Sequence, residues 1–373
     1  MTDTVLIASF SGRALAQSAR RAGFKPLVAD AFCDEDTRAA AEHARIVPGA
    51  ALHGFRTKPL IAALESLAAS APSPQIGLVL GSGFEDKTRL VAALASRFKL
   101  LGPDAETIRD CKDPATFVAT LTRLGIPHPE TVSDPPADSN AWLTKRVGGS
   151  GGRHIRKYAS AGKLSARRYY QREIDGQRLS IGGVFSTGGA RILATRQWTS
   201  PSARQPFRYG GAVSTLELDA ELFGQIASAA TAAANAFGLV GMASFDFVVE
   251  GRVANLVDIN PRPGAAIDVL DDDEGYAFAS HILACLGRYV PPAKRRPGTA
   301  RAAAVLHADR GPVTVGAVAW PEWSADRPAS GTMIGEGEPL ASAFAAAETS
   351  DAAEDLVRAR LAELESLIYA AKT

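Results

Sequence analysis

The chain has 373 residues, enough for two or three domains with sizeable cores. Apolar residues make up 46% and charged residues 22%, an ordinary globular balance, and the net charge of +1 gives no electrostatic reason to expect nucleic acid or an anionic membrane as a partner. Cys33, Cys111 and Cys285 are widely spaced and fit no metal pattern, so they read as reduced thiols of a cytoplasmic protein.

The opening MTDTVLIASF has no basic leader and reads as a strand rather than a signal peptide. Apolar runs at 5–10, 25–29, 45–47 and 76–80 alternate with helical patterns up to Ala22, at 58–69 and at 87–98. Strands alternating with helices predict a small parallel sheet. The turn Gly81-Ser82-Gly83-Phe84-Glu85-Asp86 falls at the end of a strand, where open α/β sheets bind ligands, but it lacks the full spacing of a dinucleotide loop. Residues 103–124 read as a helix broken at Asp113-Pro114, with Lys112 at the break. The Pro-rich stretches 125–129 and 134–136 are linker-like.

A strand at 142–147 carries Lys145 and runs into Gly148-Gly149-Ser150-Gly151-Gly152, followed by a returning strand at 153–158. Four glycines in five residues let backbone N–H groups approach an anion. No G-K-[ST] follows, so this is not a Walker A loop. Strands are expected at 167–173, 179–185 and 190–198, with a long polar loop at 200–211 that reads as a lid and offers Arg204 and Arg208. A helix capped by Asp219 spans 219–237, and the Ala-rich run 226–242 holds too many polar residues for a membrane span. A helix at 275–286, a linker at 291–297, short strands at 299–307 and 313–319, and a terminal helix at 351–371 complete the chain.

The most informative stretch is ASFDFVVEGRVANLVDINPRPGAAID, residues 243–268. Two apolar runs around Glu250-Gly251-Arg252 predict a hairpin that sets Asp246 beside Asp258, with Asn260 two residues on along the same face. Two carboxylates and an amide oxygen at one point favour a hard cation such as Mg²⁺, and Arg262 adds a fork suited to phosphate or carboxylate.

The order Lys112, Lys145, glycine hairpin, Gln171-x-x-x-x-Gly176, Asp246, Asp258 and Asn260-Pro261-Arg262 resembles the ATP-grasp superfamily of carboxylate–amine ligases and biotin carboxylases. The resemblance implies an α/β fold in three parts: an N-terminal parallel α/β pre-grasp domain at 1–102, an ATP-grasp domain with antiparallel sheets at 103–290, and a small C-terminal β unit with a terminal helix at 291–373. It implies that Lys112, Lys145 and Gly148, Gly149, Ser150, Gly151 and Gly152 hold ATP phosphates. It assigns Gln171, Arg172, Glu173 and Ile174 to adenine. Asp246, Asp258 and Asn260 become ligands of Mg²⁺ or Mn²⁺, and Arg262 and Lys145 steady the transferred phosphoryl. His154, Arg204 and Arg208 are candidates for an acceptor carboxylate. Two departures stand out: Asp258 replaces the usual Glu, and Gln177-Arg178 replaces the acid expected at the ribose.

Within the superfamily, the Gly81–Asp86 turn and the Asn-Pro-Arg-Pro hairpin resemble tyramine–glutamate ligases of methanofuran-type cofactor biosynthesis. That implies a cytoplasmic enzyme joining a small-molecule carboxylate to an amine, glutamate to tyramine or tyrosine, without nucleic acid or membrane; the one macromolecular partner it suggests is a second copy in a homodimer. The competing readings are a biotin-carboxylase-like enzyme acting on bicarbonate and a nucleotide-binding protein without turnover.

Overall fold

The computed structural model describes residues 3–71, 73–137, 141–158, 167–214, 218–291 and 299–371. Most of the linker expected at 291–297 lies outside them. The N-terminal unit comprises β1 (Thr4–Ser9), α1 (Arg13–Arg21), β2 (Lys25–Asp30), α2 (Glu35–Ala40), β3 (His43–Ile46), α3 (Ala50–His53), α4 (Thr57–Ala69), β4 (Gln75–Leu80) and α5 (Thr88–Ala95). Its four strands are parallel in the order β3-β2-β1-β4. β1, β2 and β4 read as nearly continuous apolar runs because both their faces are covered, whereas the edge strand β3 is largely exposed.

Two helices follow, α6 (Ala105–Lys112) and α7 (Pro114–Leu124). Asp104 caps the first through the Thr107 N–H, and Asp113 caps the second through the Thr116 N–H with Pro114 at its first turn. This break leaves Lys112 as the last residue of α6. A small sheet orders β5 (Thr131–Val132), β6 (Trp142–Arg146), β7 (Arg156–Lys157) and β8 (Arg168–Arg172) as β5-β8-β6-β7.

The largest sheet is antiparallel. It contains β9 (Gln177–Ser186), β10 (Gly189–Thr199) and β11 (Tyr209–Val213); after α8 (Ala220–Ala236) come β12 (Gly241–Glu250) and β13 (Val253–Asn260). The short α9 (Ile267–Leu270) and α10 (Tyr276–Cys285) lead to β14 (Ala300–His307), β15 (Val313–Thr314), β16 (Ser324–Ala325), β17 (Met333–Ile334), β18 (Pro339–Ala347) and α11 (Ser350–Ala370). The order is β13-β12-β9-β10-β11-β14-β18-β16, so strands after residue 299 extend the sheet that carries the hairpin, while β15 pairs with β17 apart. Among the described residues no helix is long and apolar enough to cross a membrane.

One face of this sheet is core. Ile181, Phe245, Phe247, Leu256 and Ile259 pack with α8 residues Ile226, Ala230 and Ala233. The other face carries Ser180, Gly182, Ser244 and Asp246 and lines a cavity. On β13, Leu256 and Ile259 both reach the core although they are an odd number apart. The ladder shifts between Asp246 and Phe247, so Val257 is an extra residue, a bulge that restores the face for Asp258.

His281 ties the N-terminal unit to this sheet. Its Nδ1 accepts the Met242 N–H at 2.8 Å and its Nε2 donates to the Leu101 carbonyl at 2.9 Å, a pairing open only to the neutral ring. Burial pushes this imidazole down to about 4 from its ordinary 6.5. The unfolded chain takes the proton near pH 6.5 and the folded chain only near pH 4, so stability is present above that window and falls as pH drops through it. The expected loss is about 3 kcal/mol between those pH values, and His281→Asn should flatten that part of the profile. Urea unfolding from pH 7 to 4 tests this: an equally steep fall in His281→Asn would remove His281 as its source.

Candidate active site

The hairpin register sets Asp246 directly opposite Asp258 and Ser244 opposite Asn260. Asp246 Oδ1 accepts from Ser180 Oγ at 2.7 Å, and its Oδ2 accepts from Asn260 Nδ2 at 3.2 Å. Burial first, and the charge of Asp258 second, push the Asp246 carboxyl above its ordinary range. The Lys112 ammonium lies 2.9 Å from both Asp258 oxygens and 3.3 Å from Asn260 Oδ1. Among the described residues no three His, Cys, Asp or Glu side chains gather as a metal set. The candidate cation site is two carboxylates and one amide oxygen. Asp258 and Asn260 already hold the Lys112 ammonium, and the three hard donors together suit a divalent cation.

Lys145 is buried on β6. Its Nζ donates to Gln171 Oε1 at 2.6 Å and to the carbonyl of the bulge residue Val257 at 3.3 Å. Burial pushes this ammonium down to about 8. The glycine hairpin folds back onto the β10–β11 connection: Gly148, Gly151 and Gly152 have φ of 72°, 67° and 72°, and the Tyr209 N–H donates to the Gly151 carbonyl. A Cβ at Gly152 would overlap the Phe207 carbonyl, so only glycine permits this approach.

Arg262 is held by a residue to which sequence reasoning gave no role. Glu85, from the Gly81–Asp86 turn, accepts Arg262 Nε at 2.8 Å and Nη2 at 2.7 Å while taking the Gly83 and Phe84 N–H groups. Burial alone would raise the Glu85 carboxyl, but Arg262, Lys112 and backbone N–H donors together hold it at about 2.

Lys145, Asp246, Asp258, Asn260 and Arg262 share one cavity of roughly 410 Å³. Ser150, Gly151, Gly152, Gln171, Arg172, Glu173 and Ile174 also line it, whereas Gly148 and Gly149 border a smaller hollow behind, beside Lys112 and Asp258. Arg172 stacks over Trp142 at 4.3 Å and pairs with Glu130, and Glu173 pairs with Lys157. Arg178, where a ribose-binding acid was expected, lines the cavity with its guanidinium over Phe207.

Two acceptor candidates are corrected. Arg208 is fully buried and forked onto Asp309 at 2.9 and 2.7 Å, with Nε on the Ser200 carbonyl, so its donors are spent on holding the β10–β11 connection. Arg204 is exposed on that connection and does not line the cavity. The connection is also shorter than the expected lid, because Tyr209 to Gly211 belong to β11. His154 does line the cavity, but burial pushes its imidazole down to about 4, so at neutral pH it carries no charge for a carboxylate. Two residues of the site were missed: Ser180, which donates to Asp246, and Arg191, which lines the cavity. Ser180 could have been found from the strand pattern of 179–185, which puts 180 and 182 on one face.

A parallel α/β unit, a small lid sheet over a cavity, and a carboxylate hairpin on an antiparallel sheet define the ATP-grasp fold, and residues 111–266 match the family described as ATP-grasp domain. Among solved structures the chain is similar to a biotin carboxylase from Campylobacter jejuni (TM-score 0.71, 15% identity, covering 95% of this chain and 90% of that one). It is equally similar to an L-amino acid ligase from Bacillus licheniformis (TM-score 0.70, 14% identity, 97% of each chain). A third is the biotin carboxylase domain dimer of 2-oxoglutarate carboxylase from Hydrogenobacter thermophilus, in complex with MgADP, ADP and bicarbonate (TM-score 0.70, 14% identity, 96% of this chain and 89% of that one). No curated protein matches the sequence.

Proposed function

We propose that this chain is an ATP-dependent carboxylate–amine ligase. The carrying observation is the facing pair Asp246 and Asp258 with Lys145 and Arg262 around one cavity, and Lys112 bound to Asp258 from behind it. Lys112, Lys145 and the N–H groups of 148–152 hold the phosphates of ATP, and the Gln171–Ile174 segment meets the adenine. A divalent cation, Mg²⁺ or Mn²⁺, held by Asp246, Asp258 and Asn260 would supply charge neutralisation at the terminal phosphates. A substrate carboxylate oxygen attacks the γ-phosphorus, the bond to ADP breaks, and an acyl phosphate forms. The amine nitrogen then attacks the acyl carbon, inorganic phosphate leaves, and the amine proton passes to solvent. Arg262, aimed by Glu85, steadies the moving phosphoryl, and Lys145 neutralises charge beside it. Most of the work is positioning and charge neutralisation.

The finer reading, from the sequence resemblance, joins glutamate to tyramine or tyrosine in methanofuran-type cofactor biosynthesis, in a cytoplasmic homodimer. The similarity to biotin carboxylases keeps bicarbonate as a second carboxylate to test. The test is an ATP assay over amino acids crossed with amines, read by mass spectrometry. The expected result is an amide with ADP and phosphate in equal amounts. ATP consumption driven by bicarbonate and by no carboxylate–amine pair would replace the ligase with the carboxylase reading; nucleotide binding without any turnover would sink both.

A further inference from the structure

With Arg208 spent on Asp309 and Arg204 outside the cavity, a different arginine faces the substrate space. Register fixes where it lies. Asp246 pairs with Ser180, and Ser180 with Thr195; along the same face, Met242 pairs with Val184, and Val184 with Arg191. Arg191 therefore stands four residues from the carboxylate rung, about 13 Å along the strands, in the same cavity. Between the two rungs Leu193 and Leu270 give the floor an apolar stretch beside Ser244, with Leu270 over Gly182, where any Cβ would overlap it.

Arg191 makes no hydrogen bond or ion pair within the described residues. Its guanidinium sits over the Tyr276 ring, 4.6 Å from the centroid. The Tyr276 hydroxyl is 3.2 Å from that of Tyr289. Stacking occupies the guanidinium face and leaves its N–H edge for a planar two-oxygen partner. A half-buried arginine without a counter-charge on a cavity wall is a site for an anion.

We propose that Arg191, stacked on Tyr276, is a substrate-binding residue that recognises a second, non-reacting carboxylate at the far end of the cavity. The substrate it selects is elongated, with one carboxylate at the Asp258–Arg262 end, an apolar middle over Leu270, and a free carboxylate on Arg191. This rests on reading the cavity as a ligase site.

The test is calorimetry on the full chain loaded with Mg²⁺ and a non-hydrolysable ATP analogue, using the dicarboxylates from succinate to suberate and their monoamides. In the wild type the longer dicarboxylates should bind about tenfold or more tightly than their monoamides, as a charge-assisted fork predicts. Arg191→Gln should erase that preference and leave nucleotide affinity unchanged. Arg191→Lys, which keeps the charge without the fork, should retain part of it and carries the test if the glutamine variant does not fold. A preference that survives in Arg191→Gln, or its absence from the wild type, overturns the proposal. Because the readout is binding, it is separable from the ligase reading: failure of every carboxylate–amine pair to consume ATP would sink the ligase while an Arg191-dependent preference still stood.

Discussion

Asp258→Asn should lower ATP turnover by about a thousandfold or more while the protein stays folded. Asp258 is the one carboxylate that faces Asp246 across the hairpin, and both of its oxygens lie 2.9 Å from Lys112. Asparagine keeps the shape and can still accept one hydrogen bond from Lys112, so the hairpin survives. What disappears is the negative charge that holds Lys112 and makes the site attractive to a cation. Removing it also relieves the Asp246 carboxyl of the like charge that helps to push it up. The measurement is kcat at saturating ATP and Mg²⁺ beside a thermal melt. A kcat within tenfold of wild type would take Asp258 out of the reacting centre; a collapsed melt would show that its role is structural.

Glu85→Ala should be the most destabilising single change at the site, by about 3–5 kcal/mol, with loss of activity as well. Alanine leaves the Arg262 guanidinium and the Gly83 and Phe84 N–H groups without the acceptor they share. Stripping one partner from a buried ion pair costs far more than the pair contributes net, because the remaining charge stays desolvated. The pH dependence has a definite sign. The Glu85 carboxyl sits at about 2 in the folded protein against an ordinary 4.5, so its contribution is present above pH 4.5 and drains away as pH falls toward 2. Denaturant unfolding of the variant at neutral pH is the check, and a loss under about 1 kcal/mol would show that the pair does not hold the turn to the hairpin.

Local chemistry was legible in the sequence where one element decides it. The Asp113-Pro114 break, the Asp219 cap and the hairpin about Glu250-Gly251-Arg252 follow from turn residues and apolar runs acting over a few positions, whereas Asp258 comes opposite Asp246 only through the Val257 bulge, which strand periodicity alone does not give. The pairings that were missed join distant segments: Glu85 with Arg262, and Arg208 with Asp309. Nothing in the spacing around Arg208 separates an arginine bound for a substrate from one bound for a carboxylate in the turn after a later strand. Arg191 was missed for the opposite reason. It sits in an apolar strand where alternation gives its face, but only the sheet order shows that this face belongs to the same cavity as Asp246.

The hairpin that carries the carboxylates is also the border of the largest sheet. Among the described residues β13 has a strand on one side only, and the sheet's other border, β16, is two residues long. An open border offers unpaired backbone to any neighbouring chain. Here it is blunted: the Leu256 N–H donates to the Pro127 carbonyl, the Val257 bulge breaks the ladder and gives its carbonyl to Lys145, and Asp258 puts a charge beside it. The features that build the chemistry therefore also deter edge-to-edge association. A redesign that straightened β13 or neutralised it to reshape the catalytic centre would surrender aggregation resistance in the same step.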